Sequence, residues 1–256
     1  MTPLPGTIHG QSDPFAPTQW SVILAAGRSQ ANPEVAQAAL GQLCQVYWAP
    51  LYTFVRCRGS SSHDAQDITQ SFFAYLIEHK IYAHADREKG KFRSFLLASI
   101  KNFLSDSRDR EQALKRGGGR EFLPLNEEQA AAAESLFQTH GGSEDGNTED
   151  HIFERSWAEM LVGAGLERVA TDYKAEGKSE LFEELKVFLA AGADPLPTYD
   201  QLATRLGMPA PTLRSHVTRL RARYREALRA EVRRTVDTES EVDGELHELL
   251  RVLTRN

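Results

Sequence analysis

Three observations predict an all-α protein. Apolar residues recur at steps of three and four through most of the chain, strand-like alternation is essentially absent, and one long basic stretch carries the caps and break of a helix-turn-helix. At 256 residues and 41% hydrophobic, the chain can bury a substantial core without disulfides or a metal. Its two cysteines, Cys44 and Cys57, form no CxxC pair and have no histidine cluster beside them, so neither a zinc site nor a disulfide framework is expected. The amino-terminal MTPLPGTIHGQSDPFAP lacks a basic start followed by an apolar run, and no later stretch approaches about 18 uncharged apolar residues. A soluble, cytoplasmic protein is therefore expected.

The first periodic stretch places Ala36, Leu40, Leu43, Tyr47, Leu51 and Phe54 at steps of three and four, with Pro50 allowing a kink or a break. It predicts one amphipathic helix or a helix pair. Gly59-Ser60-Ser61-Ser62 is a turn, and Ser61 with Asp64 suits the start of the next helix, DAQDITQSFFAYLIEH. There Ala65, Ile68, Phe72 and Leu76 face inward, while Asp64, Asp67, Ser71 and Glu78 give an acidic outer edge. A charged loop, ADREKGKF, leads to a third helix with Phe92, Leu96, Ile100 and Phe103 in register.

Glycines 117–119, an alanine run and GGSEDGNTED then favour a flexible tether. Beyond it, Phe153, Trp157, Leu161, Leu166 and Val169 form an apolar stripe of a supporting helix. Between Tyr173 and Pro197 lies a further segment, with Phe182, Leu185 and Leu189 on one helical face, which is expected to form a helix packing on the element that follows or to offer a docking surface.

The helix-turn-helix follows. Thr198 and Gln201 form a capping box, Gly207-Met208-Pro209 breaks the first helix, and Pro211 opens a second with Leu213, Val217, Leu220, Tyr224 and Leu228 on one face. Arg214, Ser215, Thr218 and Arg219 fall on the opposite face in its first turns, where recognition helices meet base edges. In the tail, Val242, Leu246, Leu249 and Leu253 predict a short acidic amphipathic helix, either a simple capping helix or one that covers the basic helix and restrains DNA binding.

The net charge of −6 conceals strong segregation. Tyr199–Val236 holds nine arginines against three carboxylates, and Asp86–Arg120 holds ten basic residues against five acidic ones. Glu121–Glu154 has nine acidic residues and no Lys or Arg, and Asp237–Asn256 has six acidic against two basic. Arginine forks match phosphate oxygens and guanine edges, so the basic helix points to DNA.

The order of an amphipathic helix pair, DAQDITQSFF, a Gly-Lys-Phe loop, FLLASIKNFLSDSRDRE, an acidic linker and a terminal helix-turn-helix resembles the extracytoplasmic-function subfamily of sigma-70 factors, the initiation subunits of bacterial RNA polymerase. YWAPLYTFVR, ADREKGKFRSFLL, KRGGG, FERSW and the tail after Val236 resemble one divergent group of them. The resemblance implies two helical domains joined by an acidic flexible linker. Residues 1–34 would be disordered or loosely packed, 35–111 would be sigma domain two, 112–150 the linker, 151–236 domain four, and 237–256 an acidic terminal helix.

It also implies roles. Asp64, Asp67, Gln70, Phe73 and Glu78 match the segment that grips the clamp helices of the polymerase large subunit, although Gln66 stands where the family commonly has Glu. Lys91 and Phe92, with Gly90, match the loop that captures an unstacked base of the minus-ten element, and Arg93, Lys101, Asn102, Arg108 and Arg110 belong to the helix behind it. Thr212, Arg214, Ser215, Thr218 and Arg219 match the reader of the minus-thirty-five element. The implied partners are core RNA polymerase, through clamp and flap, and promoter DNA, with an anti-sigma factor or a kinase as a further class. A separate reading is a signalling-responsive adaptor, in which phosphorylation of Thr69 or Ser71, beside the missing acid, restores negative charge. No cofactor or metal is implied, and no HExxH, nucleophile elbow or GxGxxG after a strand suggests an enzyme. The alternative is a helix-turn-helix regulator that never engages polymerase.

Overall fold

The computed structural model describes residues 33–85, 90–114, 127–140, 148–189, 197–236 and 238–254. Among them all regular structure is helical, and no helix is long and apolar enough to cross a membrane. Most of the segment 1–34, and residues 115–126 and 141–147 of the expected linker, lie outside the described residues.

Helix α1 (Pro33–Cys57) runs through Pro50 without interruption. Leu40, Leu43, Tyr47, Leu51 and Phe54 are buried as their spacing predicts, but so are Trp48, Tyr52 and Val55. The wider face follows from three neighbours, because α1 packs against α2 (Ser62–Glu78), α4 (Glu127–His140) and α5 (Glu149–Ala175). Helix α2 starts as expected, with Ser61 Oγ accepting from the Asp64 amide at 3.1 Å. It ends in a left-handed Lys80 and a 3-10 turn, Ile81–His84. Gly90, at φ 131°, adopts a backbone that only glycine visits readily and leads into α3 (Phe92–Leu114).

Residues 127–140 are where the structure departs most from a tether. They form α4, whose Ala133 is buried against the core and whose Glu134 is held by α1. Arg56 donates to Glu134 from Nε at 3.0 Å and from Nη2 at 2.8 Å, Tyr52 Oη donates to the same carboxylate, and the Arg56 guanidinium lies 4.2 Å over the Phe137 ring. The alanine run, expected to be part of a flexible tether, is a strong helix former, and α1 supplies the charge that its acidic residue needs.

The remaining elements are α6 (Ser179–Leu185) with a following 3-10 turn (Lys186–Leu189), α7 (Tyr199–Leu206), α8 (Ala210–Arg233) and α9 (Glu239–Thr254). Two apolar cores result. The first gathers α1, α2, α3, Ala133 of α4, the amino-terminal half of α5 (Phe153, Trp157, Leu161), Val232 of α8 and Val242, Leu249 and Val252 of α9. The second gathers Val169 and Tyr173 of α5, Phe182 and Leu185 of α6, Leu202 of α7 and Leu213, Val217 and Leu220 of α8. The further segment thus packs on the helix-turn-helix; Phe182 and Leu185 are buried as their spacing predicts, but the helix gives way to a 3-10 turn that buries Phe188 and leaves Leu189 half-buried.

Both cores are threaded by the same two helices. At 27 residues, α5 spans about 40 Å, long enough to enter each. It crosses α8 at Gly165, where a Cβ would stand 3.4 Å from the Leu228 backbone and 3.5 Å from the Tyr224 ring, leaving no room for a larger side chain.

Candidate nucleic-acid interface

The recognition element is built from its caps outward. Thr198 Oγ1 accepts from the Gln201 amide at 3.3 Å and Gln201 Oε1 accepts from the Thr198 amide at 3.0 Å, closing the capping box that starts α7. Gly207 ends that helix at φ 62°, and Pro209 caps α8. Leu213, Val217 and Leu220 are buried in the second core, which turns Thr212, Arg214, Ser215, Thr218 and Arg219 to solvent together. The hydroxyls of Ser215 and Thr218 donate to the carbonyls of Pro211 and Arg214, at 3.1 and 3.0 Å, leaving their oxygen lone pairs directed outward as acceptors.

The nine arginines counted in sequence divide into two groups. Arg205 pairs with Glu184 at 2.8 Å, Arg223 with Glu176 at 2.6 Å, Arg233 with Glu239 at 3.0 Å and Arg234 with Glu231 at 2.7 Å. Arg229 pairs with Asp243, and Arg221 donates to the Phe188 carbonyl. Among the described residues, no carboxylate lies within ion-pairing distance of Arg214, Arg219 or Arg225. Arg214 lies 5.5 Å from the Tyr199 ring centroid, and Arg219 Nη2 donates to His216 Nδ1 at 3.3 Å. Burial, and then the Arg219 charge, lower the His216 pKa, so the imidazole is neutral near pH 7 and can accept that bond. Of Arg214, Arg219 and Arg225, the first two lie in the first half of α8.

The second expected nucleic-acid surface is covered. Lys91 Nζ stands 2.6 Å from Glu245 Oε2 on α9, and Arg93 pairs with the other oxygen of the same carboxylate. Arg93 is only 3% exposed, its guanidinium lies 4.2 Å over the Trp157 ring, and desolvation lowers its pKa. Phe92, expected to meet an unstacked base, is buried with its ring 5.7 Å from Tyr47 in an edge-on contact. Its apolar area is better used in the core than in water. Lys101 Nζ meets Asp150 Oδ1 at 2.5 Å, while Asn102 is exposed. Arg108 and Arg110 belong to α3, and their side chains lie outside the described residues.

On α2, Asp64, Asp67 and Glu78 are exposed and Gln70 is half-buried, giving the acidic edge that the sequence predicts. Phe73 is not on that edge. It is 2% exposed and packs beside Phe72, 5.8 Å between ring centroids, because α2 buries a broader face than a single stripe. Thr69 is fully buried, with its hydroxyl donating to the Ala65 carbonyl at 2.7 Å, so a kinase has no access to it in this conformation; Ser71 is half-buried.

Sequence reasoning missed Glu245 as the partner of the Lys91–Arg93 segment. A carboxylate among Val242, Leu246 and Leu249 on the inward face of an amphipathic helix was the available signal. No family model, curated protein or solved structure matches the chain.

Proposed function

We propose that the chain is an RNA polymerase sigma factor of the extracytoplasmic-function type, acting in the cytoplasm by binding core polymerase and promoter DNA to start transcription. One observation carries the reading. A capped helix-turn-helix turns Thr212, Arg214, Ser215, Thr218 and Arg219 outward, while Arg223, Arg229 and Arg233 further along α8 are engaged by the protein's own carboxylates. Phosphate attraction gives affinity, and an arginine fork on guanine gives choice, about 1–3 kcal/mol for each bidentate contact. The exposed acidic edge of α2 suits a basic amphipathic partner such as a clamp helix.

Run-off transcription with core polymerase and genomic fragments tests the proposal. The chain should direct specific starts, and Arg219→Ala should weaken binding to the selected duplex by about 1–3 kcal/mol and relax its sequence preference. Retained affinity and preference would remove Arg219 from the reading face.

A second reading, a helix-turn-helix regulator that binds duplex DNA without polymerase, draws on the burial of Phe73, Phe92 and Arg93. Formation of a stoichiometric complex with purified core polymerase separates the two.

A further inference from the structure

Helix α9 lays carboxylates on cations from two distant parts of the chain. Glu245, 5% exposed, takes Lys91 and Arg93, and Glu248 stands 3.9 Å from Arg93. Glu239 takes Arg233 at 3.0 Å, and Asp243 takes Arg229. Four acidic groups of one helix therefore occupy four cations, two ahead of α3 and in its first turn, two in the last turns of α8. Val242, Leu249 and Val252 hold the helix in place through the first core.

Stability alone is a poor reason for this arrangement. A buried carboxylate between two cations loses hydration that its partners barely restore, and an apolar residue at 245 would pack with Val242 and Leu249 at no such cost. Arg93 Nε is buried without a hydrogen-bond partner, so the carboxylates leave its guanidinium incompletely satisfied. A row of negative groups matched to a row of cations is the pattern a nucleic-acid backbone presents.

We propose that α9 is a built-in stand-in for nucleic acid: it competes with backbone phosphates for Lys91, Arg93, Arg229 and Arg233, and must leave before the chain can bind nucleic acid along that surface. The inference rests on the nucleic-acid reading above and adds its regulation. Release of α9 extends the cationic face from the first turns of α8 to its end and onto the start of α3.

The test measures binding of a short oligo(dT) by fluorescence anisotropy to the full-length protein, Glu245→Gln and Glu245→Gln/Lys91→Ala. Glu245→Gln should bind at least about tenfold tighter, with the slope of log affinity against log salt steeper by about 1.4 as two cations become available. The added Lys91→Ala change should reverse part of that gain. No gain over the wild type, including no binding by either, overturns the proposal.

Should Glu245→Gln fail to fold, hydrogen exchange on the wild type decides. Saturating oligo(dT) should strip protection from residues 239–254, and a complex that keeps it intact overturns the proposal. Duplex binding by Arg219→Ala is read in parallel. Loss of duplex binding there, with no effect of Glu245→Gln, sinks the role proposed for α9 and leaves the recognition helix standing. A gain in Glu245→Gln without any Arg219-dependent duplex binding does the reverse.

Discussion

Whether residues 127–140 belong to the fold is decided by a double-mutant cycle on Arg56 and Glu134. Their side chains are 17% and 26% exposed, between a solvated pair and a buried one. A fully exposed pair contributes about 0.2–1 kcal/mol, and hydrogen bonds to charged groups about 1.5–3 kcal/mol, so a bidentate pair at this exposure should couple by about 1–2 kcal/mol. Arg56→Ala should cost more than Glu134→Ala, because it also removes a guanidinium from the Phe137 ring, worth about 0.5–1 kcal/mol.

Urea unfolding of the wild type, the two single variants and the double variant gives the coupling directly. The pH dependence has a defined sign. The hydrogen bond from Arg56, then that from Tyr52, hold the Glu134 carboxyl below its ordinary pKa, so its contribution is complete above about pH 4.3 and is lost as pH falls through the lower folded value. Tyr52 is pushed up to about 12, by burial first and then by Glu134, so its contribution is complete below about pH 10 and fades as pH rises through that value. Glu134→Gln should flatten the acid limb. A coupling under about 0.3 kcal/mol would refute the docking of α4 on α1.

Other outcomes follow from single contacts. Thr198→Ala removes the box that starts α7 and should cost about 1 kcal/mol in urea unfolding while weakening duplex binding, since α7 supports the reading helix. Gly165→Val should destabilise by about 1–3 kcal/mol through overpacking, because even a Cβ there reaches the Leu228 backbone. Burial pushes the Cys44 thiol up to about 12 and the Cys57 thiol to about 11, so an aromatic disulfide reagent at pH 8 should label Cys57 roughly a hundredfold or more slower than a free thiol, and Cys44 slower still. Rapid labelling of either would mean that α1 opens locally.

Local chemistry was the legible part of this chain. The Ser61 and Thr198 caps, the Gly207 stop and the stripe Leu213-Val217-Leu220 are set by residues within a few positions of one another, and the structure holds each where the spacing put it. The outward set on α8 was readable for the same reason, as the complement of a buried stripe. What escaped depends on partners far along the chain. Phe73 and Arg93 looked outward on their own helices, but the first is enclosed within the first core, where α1, α2 and α3 meet, and the second by Glu245, 152 positions away. Glu134 read as one acid among many in a tether until Arg56 and Tyr52, on another helix, stood beside it. Charge counting failed similarly, because it could not show which arginines the protein keeps for itself.

The two long helices that thread both cores also constrain how this molecule can be rearranged by recombination. A crossover placed ahead of Phe153 would carry that residue, Trp157 and Leu161 away with the wrong half and leave a hole where Tyr47 and Phe54 now pack. Shuffled descendants would have to inherit α5 and α8 together with the amino-terminal helices to keep both cores filled.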